Sequence, residues 1–271
     1  MPTRVPSSPH SLSPHEVRAD PRVGVDLPVE VHSADLPAPL LGRSRDLSVG
    51  GVCVATPSPF ACKSVRRVVL RLPDRTLALE AEGRWQRDVA GDETVLTGLS
   101  FVDPDDSAVD YLWELVLDRG KELARFLYAR SDISNLGLEE AMGIAQTTRV
   151  QHVPAGRWLY TQGRPGPEAD SIYIVLEGRV ALQVRVRDAL EKAFDSVGPG
   201  GLVGGAGVVG GEPPPESAVA ETDLRLLEID SRSYQYLLAA KPWLALRLAQ
   251  VVNQVRARCT ARLLGFVRDL L

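Results

Sequence analysis

Two blocks of short strand-like segments, each leading into a helix-like segment, constrain the fold of this chain most strongly. In 23–31 every second position is apolar, which predicts a half-buried strand. These positions are Val23, Val25, Leu27, Val29 and Val31. Further strands are predicted at 51–56, 65–73, 76–87 and 94–102. Short strands at this spacing, separated by turn residues, are typical of a small barrel or sandwich.

The first block leads into a predicted helix at 107–130. Its predicted apolar face consists of Tyr111, Leu112, Leu115, Val116, Leu123 and Phe126. The preceding "DPDD" at 103–106 is typical of a helix cap, which we prefer to an acid–base role for these carboxylates. The β module is therefore expected to end near residue 105.

The second block repeats this order of elements without repeating the sequence. Its predicted elements are a short helix at 137–145, two strands at 171–186 hinged at Glu177-Gly178, a strand pair at 218–230, and terminal helices divided by Pro242. Within 243–270 an apolar stripe is formed by Leu244, Leu248, Val251, Val255, Cys259 and Leu263. Such a stripe fits two alternatives, a homodimer seam or packing against the chain's own β roll.

Composition and charge narrow the function classes. The length of 271 residues favours two domains, and 44% hydrophobic with 24% charged residues is ordinary for a globular protein. A net charge of -4 disfavours a general nucleic-acid or membrane-surface binder. No apolar run approaches the roughly 20 residues of a membrane span. Residues 1–16 are rich in Pro and Ser and lack an apolar signal core, so a disordered tail and a cytoplasmic protein are expected.

Cysteine and histidine usage disfavours metal and histidine-based chemistry. Cys53, Cys62 and Cys259 form neither a disulfide framework nor a metal motif, which favours reduced thiols. The four histidines are scattered and support no zinc site; they are His10, His15, His32 and His152. An enzyme is therefore the lowest-ranked class, and no cofactor is expected.

The stretch "GAGVVG" at 205–210 fits the G-x-G-x-x-G pattern of dinucleotide-binding folds. In those folds a helix opens directly on the glycines, whereas here three consecutive prolines follow at 213–215, and prolines do not continue a helix interior. A Gly-Lys-Ser/Thr sequence, which a phosphate-binding Walker loop requires, is also missing. The glycines therefore indicate neither of these nucleotide sites.

The stretches "PAGRWLYTQG", "SIYIVLEGRVAL" and "VGPGGLVGGAGVV" resemble the cyclic nucleotide-binding domain of the catabolite activator protein type, over roughly 125–265. In that family a Glu in the phosphate cassette binds the ribose, and an Arg before Ser-Ala pairs with the cyclic phosphate. Their positions here are Gly205, after Gly204, and Glu216, before Ser217. A contact worth about 1.5–3 kcal/mol is thus replaced by like-charge repulsion. The resemblance implies a β roll with a degenerate cassette, whose glycine amides could hold an anion weakly.

A stronger ligand signal lies near the start of the chain. "VRADPRVGV" contains Arg18-x-x-x-Arg22, and "RDLSVGG" contains Asp46-x-Ser48-x-x-Gly51. In this order, around an alternating strand, they resemble the PilZ domain, and 85–103 resembles its closing strands. The resemblance covers about 17–120 and implies a six-stranded β barrel with cyclic di-GMP as its ligand. The ligand-binding residues it implies are Arg18, Arg22, Asp46, Ser48, Gly50 and Gly51.

The chemistry of these residues suits that ligand. The planar fork of Arg bonds phosphate or the guanine O6/N7 edge and stacks on purines. Asp46 can accept from the guanine N–H edge, Ser48 supplies a hydroxyl, and glycine permits close approach or positive φ. Since Arg18 adjoins the predicted tail, we expect the ligand to order this segment.

The sequence therefore predicts a mainly β protein with helices: a tail at 1–16, a PilZ-like barrel at 17–120, and at 121–271 a cyclic-nucleotide-binding-like β roll with flanking helices and a long terminal helix. The expected function is a cyclic di-GMP receptor that signals to a protein partner through the second domain. No helix-turn-helix follows before Leu271, which disfavours direct DNA binding. Two alternatives stay open, a dual sensor that also binds cyclic AMP or GMP, and a scaffold in which both sites are degenerate.

Overall fold

The computed structural model describes residues 22–88, 94–186 and 190–270. Arg18 and the predicted tail at 1–16 lie outside the described residues. Seven strands form the first sheet: β1 Arg22–Gly24, β2 Pro28–Ser33, β3 Leu40–Ser48, β4 Gly51–Thr56, β5 Val65–Arg71, β6 Thr76–Asp88 and β7 Val95–Phe101. Their order is β1-β3-β2-β5-β6-β7-β4, and β4 also pairs with β3. Strands β2 to β7 thus close into the predicted six-stranded barrel, with β1 added to β3.

The single strand predicted at 23–31 is wrong, because the structure divides it into β1 and β2. Both parts pair with β3, and the hydroxyl of Ser44 fills the break between them. It accepts from the Leu27 amide at 2.8 Å and donates to the Val25 carbonyl at 2.6 Å. The alternating apolar side chains are all buried as predicted, with none more than 5% exposed.

Strand β3 itself was not predicted. Its central residues are polar, and the alternation that identifies a half-buried strand is missing from "LLGRSRDLS". This strand is nevertheless the partner of β1, β2 and β4, so it organises the barrel edge on which the predicted site residues lie.

Helix α1 (Asp106–Arg130) connects the barrel to the rest of the protein. Asp105 caps it, accepting from the Ala108 amide at 2.8 Å, which confirms the predicted cap. Its first half contributes Leu112 and Val116 to the barrel core, and its second half contributes Leu127 to the next core. The rest of the predicted apolar face is partly buried against these cores: Tyr111, Leu115, Leu123 and Phe126. The boundary that we predict at 120/121 falls within this continuous helix.

The second half of the chain forms a β roll with flanking helices. Its helices are α2 Leu138–Ala145, α3 Ser231–Ala240 and α4 Pro242–Leu270, and its strands are β8 Arg149–Val153, β9 Trp158–Tyr160, β10 Ser171–Glu177, β11 Val180–Val186, β12 Leu190–Val197, β13 Leu202–Gly204, β14 Ser217–Ala220 and β15 Leu224–Asp230. Two four-stranded sheets have the orders β13-β10-β15-β8 and β12-β11-β14-β9. The predicted hinge after Glu177, the 218–230 strand pair and the break at Pro242 are confirmed. Strands β8, β9, β12 and β13 are additional.

The apolar stripe of α4 packs against the β roll of its own chain. Leu244, Leu248 and Val251 are buried in the core between α4 and the roll, and Val255 packs against its edge. Cys259 contacts the inner core of the roll. Self-packing therefore accounts for this part of the stripe, and a homodimer seam stays a proposal. In the described part of the chain, no helix has the length and apolar character needed to span a membrane.

Candidate ligand sites in the two domains

The pairing of β1 with β3 brings Arg22 and Asp46 together. Arg22 lies opposite Ser48, and Asp46 lies two residues before Ser48 in β3, so its side chain shares a face of the sheet with Arg22. Arg22 Nη1 donates to Asp46 Oδ1 at 2.8 Å. The intervening Leu47 points into the barrel core. Arg22 and Asp46, which belong to different motifs and are 24 residues apart in sequence, are thus in direct contact.

The turn between β3 and β4 carries the other predicted residues. Ser48 is buried, and its hydroxyl donates to the Gly51 carbonyl at 3.2 Å. A Cβ atom on Gly51 would collide with the backbone carbonyl of Leu99 on β7, so close strand packing explains this glycine. The Gly50 carbonyl accepts from the Phe101 amide at 3.0 Å. Five of the six predicted residues therefore lie together at one end of the barrel; the sixth is Arg18.

A second arginine, which the sequence analysis did not identify, also binds Asp46. Arg149 at the start of β8 donates from Nε to Asp46 Oδ2 at 2.8 Å and from Nη1 to Asp230 Oδ2 at 2.5 Å. The exposed side-chain fractions are 7% for Arg149, 2% for Asp46 and 9% for Asp230. Asp46 and Arg149 are 103 residues apart, so no local motif connects them.

In this network, ion pairing changes the pKa values of the charged groups more than burial does. Burial alone would lower the pKa of the Arg149 guanidinium, but the two carboxylates raise it above its ordinary value. Burial alone would likewise raise the pKa of Asp230, but Arg149 and the hydrogen bond from the Ser233 backbone amide lower it to about 2. Arg149 and Asp230 therefore stay charged at neutral pH as an ion pair within the roll, and Arg149 joins the roll to the barrel through Asp46.

Further contacts join the barrel to β8 around this network. His152 Nε2 lies 2.7 Å from Asp26 Oδ2, and Arg45 Nη1 donates to the Val150 carbonyl at 3.2 Å. A Cβ atom on Gly24 would lie 3.1 Å from Val150, so the backbones approach closely. A cavity of about 420 Å³ adjoins this contact; its lining includes Arg45, Arg87, Arg149, Ser171 and Glu228.

The predicted cassette lies where the roll meets α4. Gly204 and Gly205 have φ values of +83° and +85°, which favour glycine. A five-residue π-helical turn follows at Ala206–Gly210. A Cβ atom on Gly205 would lie 2.7 Å from Val252 Cγ1 of α4. A glutamate, as the family has at this position, would therefore have a strained backbone and would require the Val252 side chain to shift.

Glu216 replaces the cationic group of the family with a buried carboxyl. Tyr160 donates its hydroxyl to Glu216 Oε1 at 2.8 Å, and burial raises the pKa of this carboxyl. Next to it, Ser217 Oγ accepts from the Gln162 amide at 2.9 Å. The adjoining cavity of about 210 Å³ is also lined by Arg256, Arg258 and Arg262 of α4.

These α4 arginines are engaged with acidic partners. Arg256 pairs with Glu212 at 2.9 Å, Arg258 pairs with Asp132 at 2.7 Å, and Arg262 pairs with Asp195. Among the residues that the structure describes, no group of His, Cys, Asp and Glu side chains is arranged to hold a metal ion.

Comparison with known proteins identifies both halves of the chain. A family model described as "PilZ domain" matches residues 16–118, and one described as "Cyclic nucleotide-binding domain" matches residues 150–241. The CRP-like cAMP-activated global transcriptional regulator of Mycobacterium tuberculosis is 27% identical over 118 residues, or 43% of this chain and 51% of that protein. A cyclic nucleotide-gated potassium channel of Mesorhizobium japonicum is 31% identical over 110 residues, or 41% of this chain and 28% of the channel. The chain thus spans about half or less of the length of these relatives.

Among solved structures, a cyclic nucleotide-binding domain from Methylobacillus flagellatus is similar with a TM-score of 0.47 and 20% identity, covering 57% of this chain and 85% of that one. The Thermus thermophilus catabolite activator protein has a TM-score of 0.42 and 25% identity, covering 52% of this chain and 62% of that one. The family matches confirm the two resemblances noted from the sequence motifs. The chain therefore contains a PilZ domain followed by a cyclic nucleotide-binding domain.

Proposed function

We propose that this protein is a cyclic di-GMP receptor whose PilZ domain binds the ligand through Arg18, Arg22, Asp46, Ser48, Gly50 and Gly51. The observation that carries the proposal is the meeting of Arg22 and Asp46 across the β1–β3 pair, beside the Ser48–Gly51 turn. A guanidinium that bonds phosphate stands beside a carboxylate that accepts from the guanine N–H edge. Both halves of a guanine nucleotide therefore have a chemically matched side chain.

The second domain is proposed to be the output module. It contacts the barrel at and near Asp46 through Arg149 and Val150. A ligand bound at Asp46 would therefore directly alter the contact between the two domains. We assign no catalytic role to either domain and place the protein in the cytoplasm, where Cys53, Cys62 and Cys259 stay unpaired as found. Transmission to a protein partner, with or without homodimerisation through 243–270, completes the proposal; nucleic acid is not the proposed target.

The second candidate function is a dual sensor that also binds cyclic AMP or GMP. The family match at 150–241 and the cavity beside Gly204 favour it. The carboxyl of Glu216 opposes it, because a phosphate placed there would meet like charge instead of a guanidinium. We therefore rank it below the receptor with one ligand. A scaffold with both sites degenerate ranks third.

Titration calorimetry with cyclic di-GMP, cyclic AMP and cyclic GMP tests these functions. Wild type should bind cyclic di-GMP, and Arg22→Ala should weaken binding by about 10- to 150-fold, the equivalent of one charge-assisted contact. Arg84→Ala is the matched control, since Arg84 is an exposed barrel arginine on β6 that pairs with Glu82. Binding that survives Arg22→Ala unchanged would refute this site, and heat from cyclic AMP would favour the dual sensor.

A further inference from the structure

Asp46 takes part in the ion-pair network with Arg22 and Arg149 and is also a residue of the proposed ligand site, and it cannot serve both with the same carboxylate oxygens. As a ligand residue of the proposed function, on which this inference rests, its carboxylate must face a guanine edge. In the structure its Oδ1 accepts from Arg22 and its Oδ2 accepts from Arg149. With 2% of its side chain exposed, Asp46 meets a ligand only after one of these guanidinium groups has moved.

The two arginines differ in what their movement changes. Arg22 belongs to the barrel, and its 27% exposed side chain can turn to a ligand phosphate without altering the domain contact. Arg149 belongs to the roll and is 7% exposed. A guanine edge that donates two parallel N–H groups uses both carboxylate oxygens, so it also needs the oxygen that Arg149 holds.

Arg149 has a second partner when it leaves Asp46. Its Nη1 is 2.5 Å from Asp230 Oδ2, on the same domain, and Asp230 also lies 3.7 Å from Arg87 of the barrel. Release from Asp46 therefore does not strand a buried charge, which would be the main obstacle to movement. The structure shows the arrangement in which Arg149 bonds Asp46 and Asp230 at once, and the bond to Asp230 lies within the roll and does not depend on Asp46.

We propose that cyclic di-GMP and Arg149 compete for Asp46, so that ligand binding breaks the central ion pair between the barrel and the β roll. The ligand then acts by substitution: its guanine takes the place of the guanidinium from the second domain. By linkage, anything that holds Arg149 on Asp46 weakens ligand binding, and the ligand loosens the domain contact by the same factor.

Cyclic di-GMP titrations of wild type, Arg149→Gln and His152→Gln test the competition. His152 lies on the same strand and pairs with Asp26 of the barrel, so its variant removes a different contact between the domains and leaves the Arg149–Asp46 pair in place. Arg149→Gln should bind about 5- to 150-fold more tightly than wild type, the range of typical coupling between sites. His152→Gln should bind like wild type.

Each other outcome overturns the proposal in a distinct way. Equal affinities in wild type and Arg149→Gln exclude competition, weaker binding makes Arg149 a ligand-binding residue, and equal tightening in both variants indicates general loosening. In these three cases cyclic di-GMP still binds, so the proposed function stands. Absence of binding in every protein refutes the proposed function together with the competition.

Hydrogen exchange of the wild-type protein gives a test that does not depend on the stability of a variant. Saturating cyclic di-GMP should speed amide exchange in 24–27 and 148–153, where the barrel meets β8. Exchange in 171–177, inside the roll, should stay unchanged. Slower or unaltered exchange in the contact segments, with the ligand bound, would contradict the release of Arg149.

Discussion

Removal of the Arg149 guanidinium is expected to destabilise the protein strongly. The Arg149→Gln variant keeps a polar but shorter side chain and leaves two carboxylates, Asp46 and Asp230, without their shared cation. These carboxylates are only 2% and 9% exposed. Removing one partner of a buried ion pair costs about 3–5 kcal/mol. Against a typical total of about 5–15 kcal/mol for a native protein, the loss is a large share of the free energy of unfolding.

Urea unfolding at pH 7, followed by tryptophan fluorescence and by circular dichroism, measures this loss. Two probes are needed because two domains need not unfold in one step. His152→Gln is the control, since His152 is 44% exposed and exposed pairs contribute about 0–1 kcal/mol. Adding Asp46→Asn and Asp230→Asn to Arg149→Gln should recover most of the loss, because the charges that then lose a partner, Arg22 and Arg87, are 27% and 38% exposed to water.

Acidification provides an independent check on the same network. The pKa of Asp230 is 3.8 for a free side chain and about 2 in the fold. Since the folded value is the lower one, the stabilisation is complete above about pH 4 and disappears as the pH falls to about 2.

In the urea experiment at pH 7, a loss of less than about 1 kcal/mol of unfolding free energy for Arg149→Gln would refute the buried, charge-paired network.

Two further predictions concern the cassette of the second domain. Gly205→Glu restores the carboxylate of the family but should not restore cyclic AMP binding. The variant should also lose about 1–3 kcal/mol of unfolding free energy, because position 205 has a positive φ and lies close to Val252. Thermal unfolding measures this loss. An unchanged melting temperature together with new calorimetric heat from cyclic AMP would contradict this. Glu216→Gln should equal or exceed wild type in stability at pH 7, because burial raises the pKa of Glu216 and glutamine still accepts from Tyr160. The advantage should disappear as the pH falls to about 4.5, where the wild-type carboxyl is protonated; a clear loss of stability at pH 7 would contradict it.

The parts of the fold that sequence reasoning predicted well are those that one local pattern determines. Alternation identified the buried positions of 23–31 although the strand is broken, because the break at 25–27, which Ser44 bridges, preserves the period of two. The cap at Asp105 and the break at Pro242 follow from the chemistry of single residues. Strand β3 was missed because its outward side chains are charged and are satisfied by partners from β1 and β8.

In the candidate site, too, some residues could be identified from local motifs and others could not. Arg22 and Asp46 were identified as site residues by the family resemblance, whereas their contact depends on the β1–β3 pairing, which the sequence analysis did not predict. Arg149 follows from neither motif, because its position depends on how the roll packs against the barrel. A sequence signal exists only in retrospect: an arginine that is buried at the start of a strand needs an acidic partner, but nothing local identifies that partner.

Stability alone does not explain a buried charged network at the contact between two domains. Apolar side chains of similar volume commonly stabilise such a contact as well as an ion pair does, because they avoid the cost of removing charges from water. What a network adds is a choice of partners: Arg149 bonds Asp46 and Asp230 at once, and it can give up the first while keeping the second. An apolar contact has no such alternative state. A contact that must open in response to an incoming hydrogen-bonding ligand is therefore better built from exchangeable ion pairs than from close apolar packing.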